Sequence, residues 1–492
     1  MPLTADMRRS IDQIRDYLFG GGYPDPVSNA EQLSFLFFFF LLETIDDENR
    51  MRAEVLNAPY TSMFSGDWPL RNPSNARAHA AHEGALAATV LTQVVRLVDD
   101  LGLAEADADT KGDLFEHVLR QIRQAGELGQ FRTPRHIIRR VVEMVDPTLG
   151  ETIYDPAAGT AGFLVAAYNH IRLAHSSPDA TVVTEVEGKS QLRGLGDRLT
   201  PEALAILRDR TFFGNDVDPK MVRLATMNLT LRGLGNVRIL QRNVLTSVLD
   251  DARKAELGLP PGGFHVVLAN PPFSGRVDKD RIVDDVRVGT TSSTELLFLK
   301  YMLDSLRPDG RAAVVVPEGV LFGSTSAHKE LRRQLVEDNQ VEAVLSLPGG
   351  VFHPYSGVKT SVLFFRKGGR TQRVLFLHVE EDGYALDASH DTPVAEDDLP
   401  QLAQAYAQRA DSWARWQARE PGAEWEDKWW FAEAGALSAN GFSLSASRYR
   451  PMSPSQAEHR NPLELIDEIL AMEMEFVKEV ETLRMLHQEL DL

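Results

Sequence analysis

Short apolar runs that alternate with helical patterns beyond residue 150 are the feature that most constrains how this chain folds. A short apolar run beside turn-forming residues is typical of a buried strand. The runs lie at 151–154, 211–213, 237–240, 264–269, 312–316, 341–347 and 362–365. Strands that alternate with helices indicate βα units and a mostly parallel sheet covered on both faces. We therefore expect an α/β fold with a doubly wound, Rossmann-like sheet.

Small or polar residues directly follow several of these predicted strands. A Gly-rich turn begins at Asp155, Asp216 ends the second run, Asn243 follows the third, and Asn270 follows the fourth. The carboxyl ends of parallel strands meet at one edge of a sheet, which is where ligands bind in open α/β folds. We therefore predict a ligand site at this edge.

The segments on either side of the predicted sheet differ from it in character. Apolar residues at helical spacing over 7–19, 85–101 and 114–122 predict a helical N-terminal domain over residues 1–125. The catalytic domain is expected over 126–380, followed by an acidic, loop-rich extension over 381–455. Apolar residues that recur every seven positions predict a long helix over 462–490, within a C-terminal segment 456–492. This interaction helix either folds back on its own chain or packs on a partner.

Composition excludes several classes of function. The chain has 52 Lys+Arg against 71 Asp+Glu, a net charge of −19, which argues against tight unaided binding to nucleic acid. With no Cys, it can form no disulfide, thiolate metal site or cysteine nucleophile. Its His residues are scattered without an H-E-x-x-H motif, so we predict no metal site. The apolar stretch 35–42 is too short to span a bilayer and no signal peptide is visible, which predicts a cytoplasmic protein without a membrane partner.

The segment Asp155 to Leu164, D-P-A-A-G-T-A-G-F-L, predicts a cofactor site where a strand passes into a helix. Its small residues allow close backbone approach, and the helix start offers free N–H groups. The Asp155 carboxylate would pair with a cationic group and repel a phosphate, and no P-loop motif is present. Asp216 can accept hydrogen bonds from ribose hydroxyls, whereas Asp218 is expected to cap the helix that follows. Together, the two acids suit S-adenosylmethionine.

The segment Asn270-Pro271-Pro272-Phe273 predicts where a substrate amine is held. An exocyclic amine that attacks a methyl group needs acceptors for its hydrogens, and the Asn270 side-chain oxygen and Pro271 carbonyl can supply them. Phe273 can stack on the face of the base. This chemistry cannot occur inside a duplex, so the base must be flipped out.

These motifs in sequence, D-P-A-A-G-T-A-G-F-L, F-F-G-N-D-V-D-P and N-P-P-F, resemble those of the N6-adenine DNA methyltransferases. The segment 129–135, G-Q-F-R-T-P-R, resembles the part of that family that precedes the first strand and clasps the methionine end of the cofactor. Segments 347–352 and 355–361 resemble the modification subunits of type I restriction–modification systems. The resemblance implies an S-adenosylmethionine-dependent transfer of methyl to adenine N6 in a specific DNA sequence, which protects host DNA from restriction.

The resemblance also assigns residues to roles. It implies that the target adenine is held by the catalytic residues Asn270, Pro271, Pro272 and Phe273. It implies that the cofactor is bound by Gln130, Phe131, Thr133, Pro134, Asp155, Ala157, Gly159, Thr160, Ala161, Gly162, Phe163, Asp216 and Asn243. Two positions depart from the family pattern, because many relatives carry Gly where Ala161 stands and an acid where Asn243 stands. Phe352 is a candidate to face the flipped base from its other side.

The expected partners follow from the same resemblance. It implies DNA, a separate specificity subunit that carries two copies of this methyltransferase subunit, and a motor-nuclease restriction subunit in the full complex. Because the acidic segment from 380 to 450 is a poor reader of DNA, we expect the chain alone to methylate DNA weakly. The basic run at Arg132, Arg135, Arg139 and Arg140 is either a solvated helix face or a phosphate contact.

Two alternatives remain open at this point. An N-P-P loop also occurs in methyltransferases that act on RNA or on a glutamine amide of a protein. A non-catalytic scaffold could keep the same fold, although the presence of Asp155, Asp216 and Asn270 together argues against it.

Overall fold

The structure is a computed structural model, and the part of the chain it describes contains most of the predicted sheet. The described residues are 5–20, 108–124, 133–186, 188–234, 236–352, 357–387, 390, 392–420 and 425–451, with scattered positions within 33–62 and 94–98 and at 470 and 473. Most of the predicted helix at 85–101 and nearly all of the one at 462–490 lie outside them. No helix in the described part combines the length and apolarity needed to cross a membrane.

The helices cover both faces of the sheet and form a second, smaller cluster. They are α1 (Ala5–Gly20), α2 (Ala108–Gln124), α3 (Arg135–Val145), α4 (Gly162–Ala174), α5 (Pro201–Asp209), α6 (Pro219–Thr230), α7 (Asp251–Glu256), α8 (Thr294–Ser305), α9 (Glu318–Phe322), α10 (Ser326–Glu337), α11 (Leu399–Ala407), α12 (Arg409–Gln417) and α13 (Ala434–Ala439). The N-terminal helices α1 and α2 bury their apolar faces against α6, where they form a core separate from that of the sheet. The predicted helices at 7–19 and 114–122 are thus confirmed.

The strands occupy one large sheet and two small hairpins. They are β1 (Ile153–Asp155), β2 (Thr181–Val186), β3 (Lys189–Gly194), β4 (Phe212–Asp216), β5 (Arg238–Gln241), β6 (Phe264–Ala269), β7 (Leu306–Pro317), β8 (Gln340–Ser346), β9 (Thr360–Arg366), β10 (Arg373–His378), β11 (Asp382–Tyr384), β12 (Pro393–Asp397) and β13 (Trp429–Glu433). Each of the predicted strands is present, and the expected α/β fold is confirmed. The hairpins β2–β3 and β11–β12 were not predicted.

The large sheet has nine strands in the order β13-β10-β8-β9-β7-β6-β1-β4-β5. Strands β7, β6, β1, β4 and β5 are parallel neighbours, and β9 lies antiparallel between β7 and β8. The chain runs outward from β1 through β4 to β5 and then returns to β6 on the other side of β1. The strand order therefore reverses between β1 and β6, and such a reversal opens a crevice at the carboxyl ends of the two strands.

The segment beyond residue 380 is more ordered than its composition predicts. The expectation of a loop-rich extension is wrong, because this segment contributes α11, α12, α13 and three strands. Strand β13 pairs antiparallel with β10 and makes the ninth strand of the main sheet, with Trp430 only 1% exposed. Acidic side chains such as Glu396 face solvent, while apolar residues such as Leu402 and Tyr406 bury the inner face of α11. Helix α11 is therefore amphipathic, although the segment as a whole is acidic.

An acidic face on α2 joins the N-terminal helices to the sheet domain. Three acids of α2 lie on one side of the helix, and each meets an arginine from another element. The pairs are Asp109 with Arg172 at 2.6 Å, Asp113 with Arg193 at 2.7 Å, and Glu116 with Arg232 at 2.9 Å. Glu116 also lies 2.5 Å from Arg135 at the start of α3. Ion pairs of low exposure, rather than apolar contacts alone, therefore hold this contact together.

Candidate active site

A cleft of about 750 Å³ lies at the reversal point of the sheet. Asp155 ends β1 and Asp216 ends β4, while Asn270 immediately follows β6. The topology thus brings these three positions to one edge, as the sequence predicted. Those predicted site residues that line the cleft are Ala157, Gly159, Asp216, Asn243, Asn270, Pro271 and Pro272.

Hydrogen bonds from backbone amides to two acidic side chains hold the loop between β1 and α4, and one of them joins it to the neighbouring strand β4. The Ala157 amide donates to Asp155 Oδ1 at 3.0 Å, and the Gly159 amide donates to Asp216 Oδ2 at 2.9 Å. On its far side, Asn228 Nδ2 donates to the Thr160 carbonyl at 2.7 Å. The two acids therefore shape the loop as well as the edge of the cleft.

Ala161, which stands where many relatives carry Gly, has a left-handed backbone conformation that is unusual for alanine. Its φ is +65°, in the left-handed region that favours glycine, and its side chain is fully buried at the start of α4. Gly159, two residues earlier, has φ +52°. The small Ala161 methyl group fits in this buried turn, and the backbone keeps the left-handed conformation although it is unfavourable for alanine.

Burial controls the ionisation of the two acids. Burial raises the pKa of Asp155 to about 8, with a smaller contribution from the negative charge of Asp216, while the Ala157 amide opposes the shift. Burial likewise raises the pKa of Asp216, against the amides of Asp218 and Gly159. A cationic group bound beside these acids would stabilise both carboxylates. A cation beside the two acids would therefore lower both pKa values, whereas an anion would raise them further.

Three of the four predicted catalytic residues after β6 line the cleft, and Phe273 does not. Pro271 is buried and Pro272 is exposed. Phe273 is 6% exposed and is absent from the cleft lining; its ring packs against that of Phe352 at 5.1 Å, with the ring planes perpendicular. Phe352 is 2% exposed. In this arrangement the two rings contact each other, and neither presents an open face to a base.

The strand end after β5 contributes residues on the cleft's other side. Asn243 lines the cleft, and its Oδ1 accepts a hydrogen bond from the Leu245 amide at 3.0 Å. Arg242, which sequence reasoning missed, donates to Tyr301 Oη at 2.6 Å. Tyr301 in turn lies 2.9 Å from the hydroxyl of Tyr154 on β1. Arg242 could have been identified from the sequence, because it directly follows strand β5, which the sequence predicts.

Other predicted residues lie away from the cleft or outside the described part. Gln130 and Phe131 are among the residues not described. Thr133 and Pro134 are buried at the start of α3, and the Pro134 carbonyl accepts from the Ile138 amide. The predicted residues that are described but do not line the cleft are Thr133, Pro134, Asp155, Thr160, Ala161, Gly162, Phe163 and Phe273.

The basic run on α3 forms contacts within the chain. Arg135 pairs with Glu116, Arg139 donates to Gln191 Oε1 at 2.7 Å, and Arg140 pairs with Glu143 on the same helix. Arg132 lies outside the described residues. Two exposed arginines that sequence reasoning did not single out, Arg276 and Arg281, line the cleft instead.

The sheet order and the cleft at its reversal point identify the fold. It is the Rossmann-like fold of S-adenosylmethionine-dependent methyltransferases. Residues 106–458 match the N-6 DNA Methylase family, and the chain belongs to that family.

Known relatives place the chain further within this family. It is 33% identical over 302 residues to the type I restriction enzyme EcoEI methylase subunit of Escherichia coli, covering 60% of this chain and 54% of that protein. It is also 33% identical to the EcoKI methylase subunit of Escherichia coli K12 over 291 residues, covering 56% of this chain and 49% of that protein. The chain thus spans about half the length of the curated relatives it matches.

A solved structure resembles nearly the whole chain. A chain from a type I R-M system superposes with a TM-score of 0.64 at 25% identity, covering 99% of this chain and 98% of that one. The similarity therefore extends beyond the large sheet to the elements that flank it.

Proposed function

We propose that this chain transfers a methyl group from S-adenosylmethionine to N6 of adenine in a specific DNA sequence, as the modification subunit of a type I restriction–modification complex. One observation supports the proposal most directly. Asp216 and the Asn270 loop line one cleft, and β1 ends at Asp155 beside it. Family membership and the methylase-subunit relatives support the same reaction.

The acids at the strand ends suit the proposed cofactor chemically. S-adenosylmethionine carries an ammonium, a sulfonium and a ribose, and no phosphate. The buried carboxyl of Asp155, with its raised pKa, lies where a positive charge is most stabilising. Asp216 uses one lone pair of each oxygen on the loop amides and keeps others for the ribose hydroxyls. Asn243 would contact the adenine ring of the cofactor.

The Asn270 loop would orient the substrate amine. When bound, S-adenosylmethionine supplies the methyl group from its sulfonium sulfur. The hydrogens of adenine N6 would be accepted by Asn270 Oδ1 and the Pro271 carbonyl, which directs the nitrogen lone pair towards the methyl carbon. The two consecutive prolines lack N–H donors, so their backbone offers only carbonyl acceptors and keeps a fixed φ. No covalent intermediate on the protein is required for direct displacement.

Access of the adenine to this loop requires base flipping, because a paired and stacked base cannot enter a pocket or direct its N6 lone pair at a methyl group. The contact between Phe273 and Phe352 closes the position that a flipped base would occupy beside the loop. We infer that binding of the base separates these rings and that Phe273 then stacks on the base.

The chain's partners follow from its charge and its relatives. A net charge of −19 leaves most phosphate contacts to another subunit. We propose that two copies of this chain assemble on a specificity subunit, that a restriction subunit completes the complex, and that the complex acts on DNA in a prokaryotic cytoplasm. Assembly is assigned to residues 456–492, most of which lie outside the described part of the chain.

The decisive experiment combines binding and transfer measurements on Asn270→Ala. The variant should bind S-adenosylmethionine as the wild type does, because Asn270 follows β6 and faces the substrate side. It should lose at least ~100-fold in methyl transfer to DNA, assayed in complex with the specificity subunit. Asn440→Ala, which alters an exposed asparagine directly after α13, is the matched control. Transfer by Asn270→Ala at the wild-type rate would refute the assigned role.

Product analysis separates the proposal from its alternatives. Digestion of the methylated DNA and mass spectrometry should detect N6-methyladenine. Methylation of RNA or of a protein glutamine in its place would support the other N-P-P methyltransferases. Failure of the chain to bind S-adenosylmethionine in any assembly would instead indicate a scaffold. Strong, sequence-specific methylation by the chain alone would contradict the need for a specificity subunit.

A further inference from the structure

Three metal-ligating side chains from distant parts of the sequence meet in the interior, away from the cleft. His136 lies on α3, Asp382 begins β11, and His390 lies in the connection between β11 and β12. Their nitrogen and oxygen atoms all lie within 4.8 Å of one another. The Asp382 side chain is completely buried, and the two imidazoles are 6% and 3% exposed. Groups of this kind are seldom buried together without a compensating interaction.

Both imidazoles direct the same nitrogen at the same carboxylate. His136 Nε2 lies 3.0 Å from Asp382 Oδ2, and His390 Nε2 lies 2.9 Å from the same oxygen. His390 Nε2 also lies 3.2 Å from Asp382 Oδ1. One carboxylate is therefore shared between two imidazole nitrogens.

The other nitrogen of His390 determines which atom carries the proton. His390 Nδ1 lies 3.2 Å from the backbone carbonyl of Val351, and a carbonyl oxygen only accepts hydrogen bonds. Nδ1 therefore donates its hydrogen to that carbonyl, and Nε2 is the atom that faces the Asp382 carboxylate. Nε2 and the carboxylate attract each other only through a cation between them, which is either a proton on Nε2 or a metal ion. An imidazole that donates Nδ1–H to a carbonyl and turns Nε2 towards a ligand position is the usual arrangement at metal sites.

We propose that His136, Asp382 and His390 bind a structural Zn²⁺ ion. Two nitrogens and a carboxylate match the ligand preference of zinc, whereas Mg²⁺ and Ca²⁺ prefer oxygen ligands alone. Zinc bonds of ~2.0–2.1 Å separate tetrahedral ligands by roughly 3.3 Å. The separations of 2.9 and 3.0 Å therefore need to widen by only a few tenths of an ångström. The second oxygen of Asp382 would complete the coordination as the weaker half of a bidentate carboxylate ligand.

The position of the site indicates a structural role rather than a catalytic one. None of the three ligands lines the cleft, and the ring of Tyr384 covers His136 at 4.3 Å. The zinc ion would join α3 to the β11–β12 hairpin. Through Val351, it would also hold the segment that carries Phe352. Sequence reasoning predicted no metal site because 246 residues separate His136 from Asp382.

Metal binding by the untagged full-length chain tests the proposal independently of methylation. After exposure to Zn²⁺ and gel filtration, elemental analysis should find one zinc per chain, which a chelator removes. Asp382→Asn and His390→Gln should weaken zinc binding by at least ~100-fold, since even outer-shell changes cost 10–100-fold. His378→Gln is the matched control, because His378 is a partly buried histidine paired with Glu380 outside the cluster. It should retain wild-type zinc binding.

Two results would overturn the proposal. The first is a wild-type chain that takes up no zinc, which would leave the cluster as a buried ion pair. The second is unchanged zinc affinity in both ligand variants. If the variants do not fold, thermal unfolding of the wild type tests whether the chain binds zinc. Zinc should raise the melting temperature and a chelator should lower it, and a melting temperature indifferent to both would contradict the site.

Discussion

At the scale of single residues, the strand ends beside the cleft carry acids whose pKa values are raised by burial. Asp155 is 2% exposed at the end of β1, with one amide hydrogen bond and a second acid nearby. A buried carboxyl in these surroundings favours its protonated form, and a nearby cation would lower its pKa.

Replacement of Asp155 by Asn should change how stability depends on pH. Burial raises the pKa of Asp155 from 3.8 to about 8, so the unfolded chain loses this proton at lower pH than the folded chain. The wild type therefore loses stability as pH rises between those two values, and the loss levels off above about 8. Asp155→Asn lacks an ionisable group here and should not show this loss. Denaturation midpoints across that pH range, measured without cofactor, provide the test.

The control for this prediction is Asp251→Asn, which changes an aspartate that is 99% exposed on α7. Its pH profile should follow that of the wild type. Parallel profiles for Asp155→Asn and the wild type would show that Asp155 ionises normally in the folded chain.

At the scale of elements, the contact between α2 and the sheet domain rests on charge. Glu116 lies between Arg135 of α3 and Arg232 at the end of α6. Burial alone would raise its pKa, but the two arginines outweigh burial and hold the pKa of Glu116 below its usual value. The glutamate is therefore ionised at neutral pH, and its removal would leave two arginines of low exposure without their common partner.

Glu116→Gln should lower the free energy of unfolding by about 3 kcal/mol, because breaking a buried ion pair leaves its partner uncompensated. Glu330→Gln, which breaks an exposed pair with Arg333, should cost less than about 1 kcal/mol. Urea denaturation at neutral pH measures both. The difference between the variants should shrink as pH falls through the lowered pKa of Glu116, since the wild-type charge is then neutralised. Equal decreases at neutral pH would show that the α2 interface does not depend on this pair.

At the scale of the whole molecule, the distribution of charge matters more than its sum. The chain carries −19 overall, yet the cleft is lined by Arg242, Arg276 and Arg281. Arg276 and Arg281 are exposed on the connection that follows the Asn270 loop. Both are therefore accessible at the rim of the cleft in which the adenine is proposed to bind.

Arg276→Gln and Arg281→Gln should each weaken DNA binding by the assembled complex without changing which sequence it prefers. Removing one arginine–phosphate ion pair should reduce the slope of log affinity against log salt by about 1. Fluorescence anisotropy with labelled DNA across a salt series gives this slope. Arg333→Gln, on α10 and away from the cleft, removes the same charge and should leave the slope unchanged. A slope equal to that of the wild type in both cleft variants would exclude phosphate binding by these arginines.

The sequence by itself determined seven of the nine strands of the sheet, without β10 and β13, and the polar residues at the ends of four of them, because buried strands and sharp turns impose local patterns on the chain. It could not reveal β13 as a ninth strand, since Trp429 and Trp430 lie in an acidic stretch. Only the tertiary structure decided which distant side chains meet. The packing of Phe273 on Phe352 and the cluster of His136 with Asp382 both join segments that are far apart in the chain. Such contacts depend on how packed elements are placed in space, and local sequence patterns do not encode that placement.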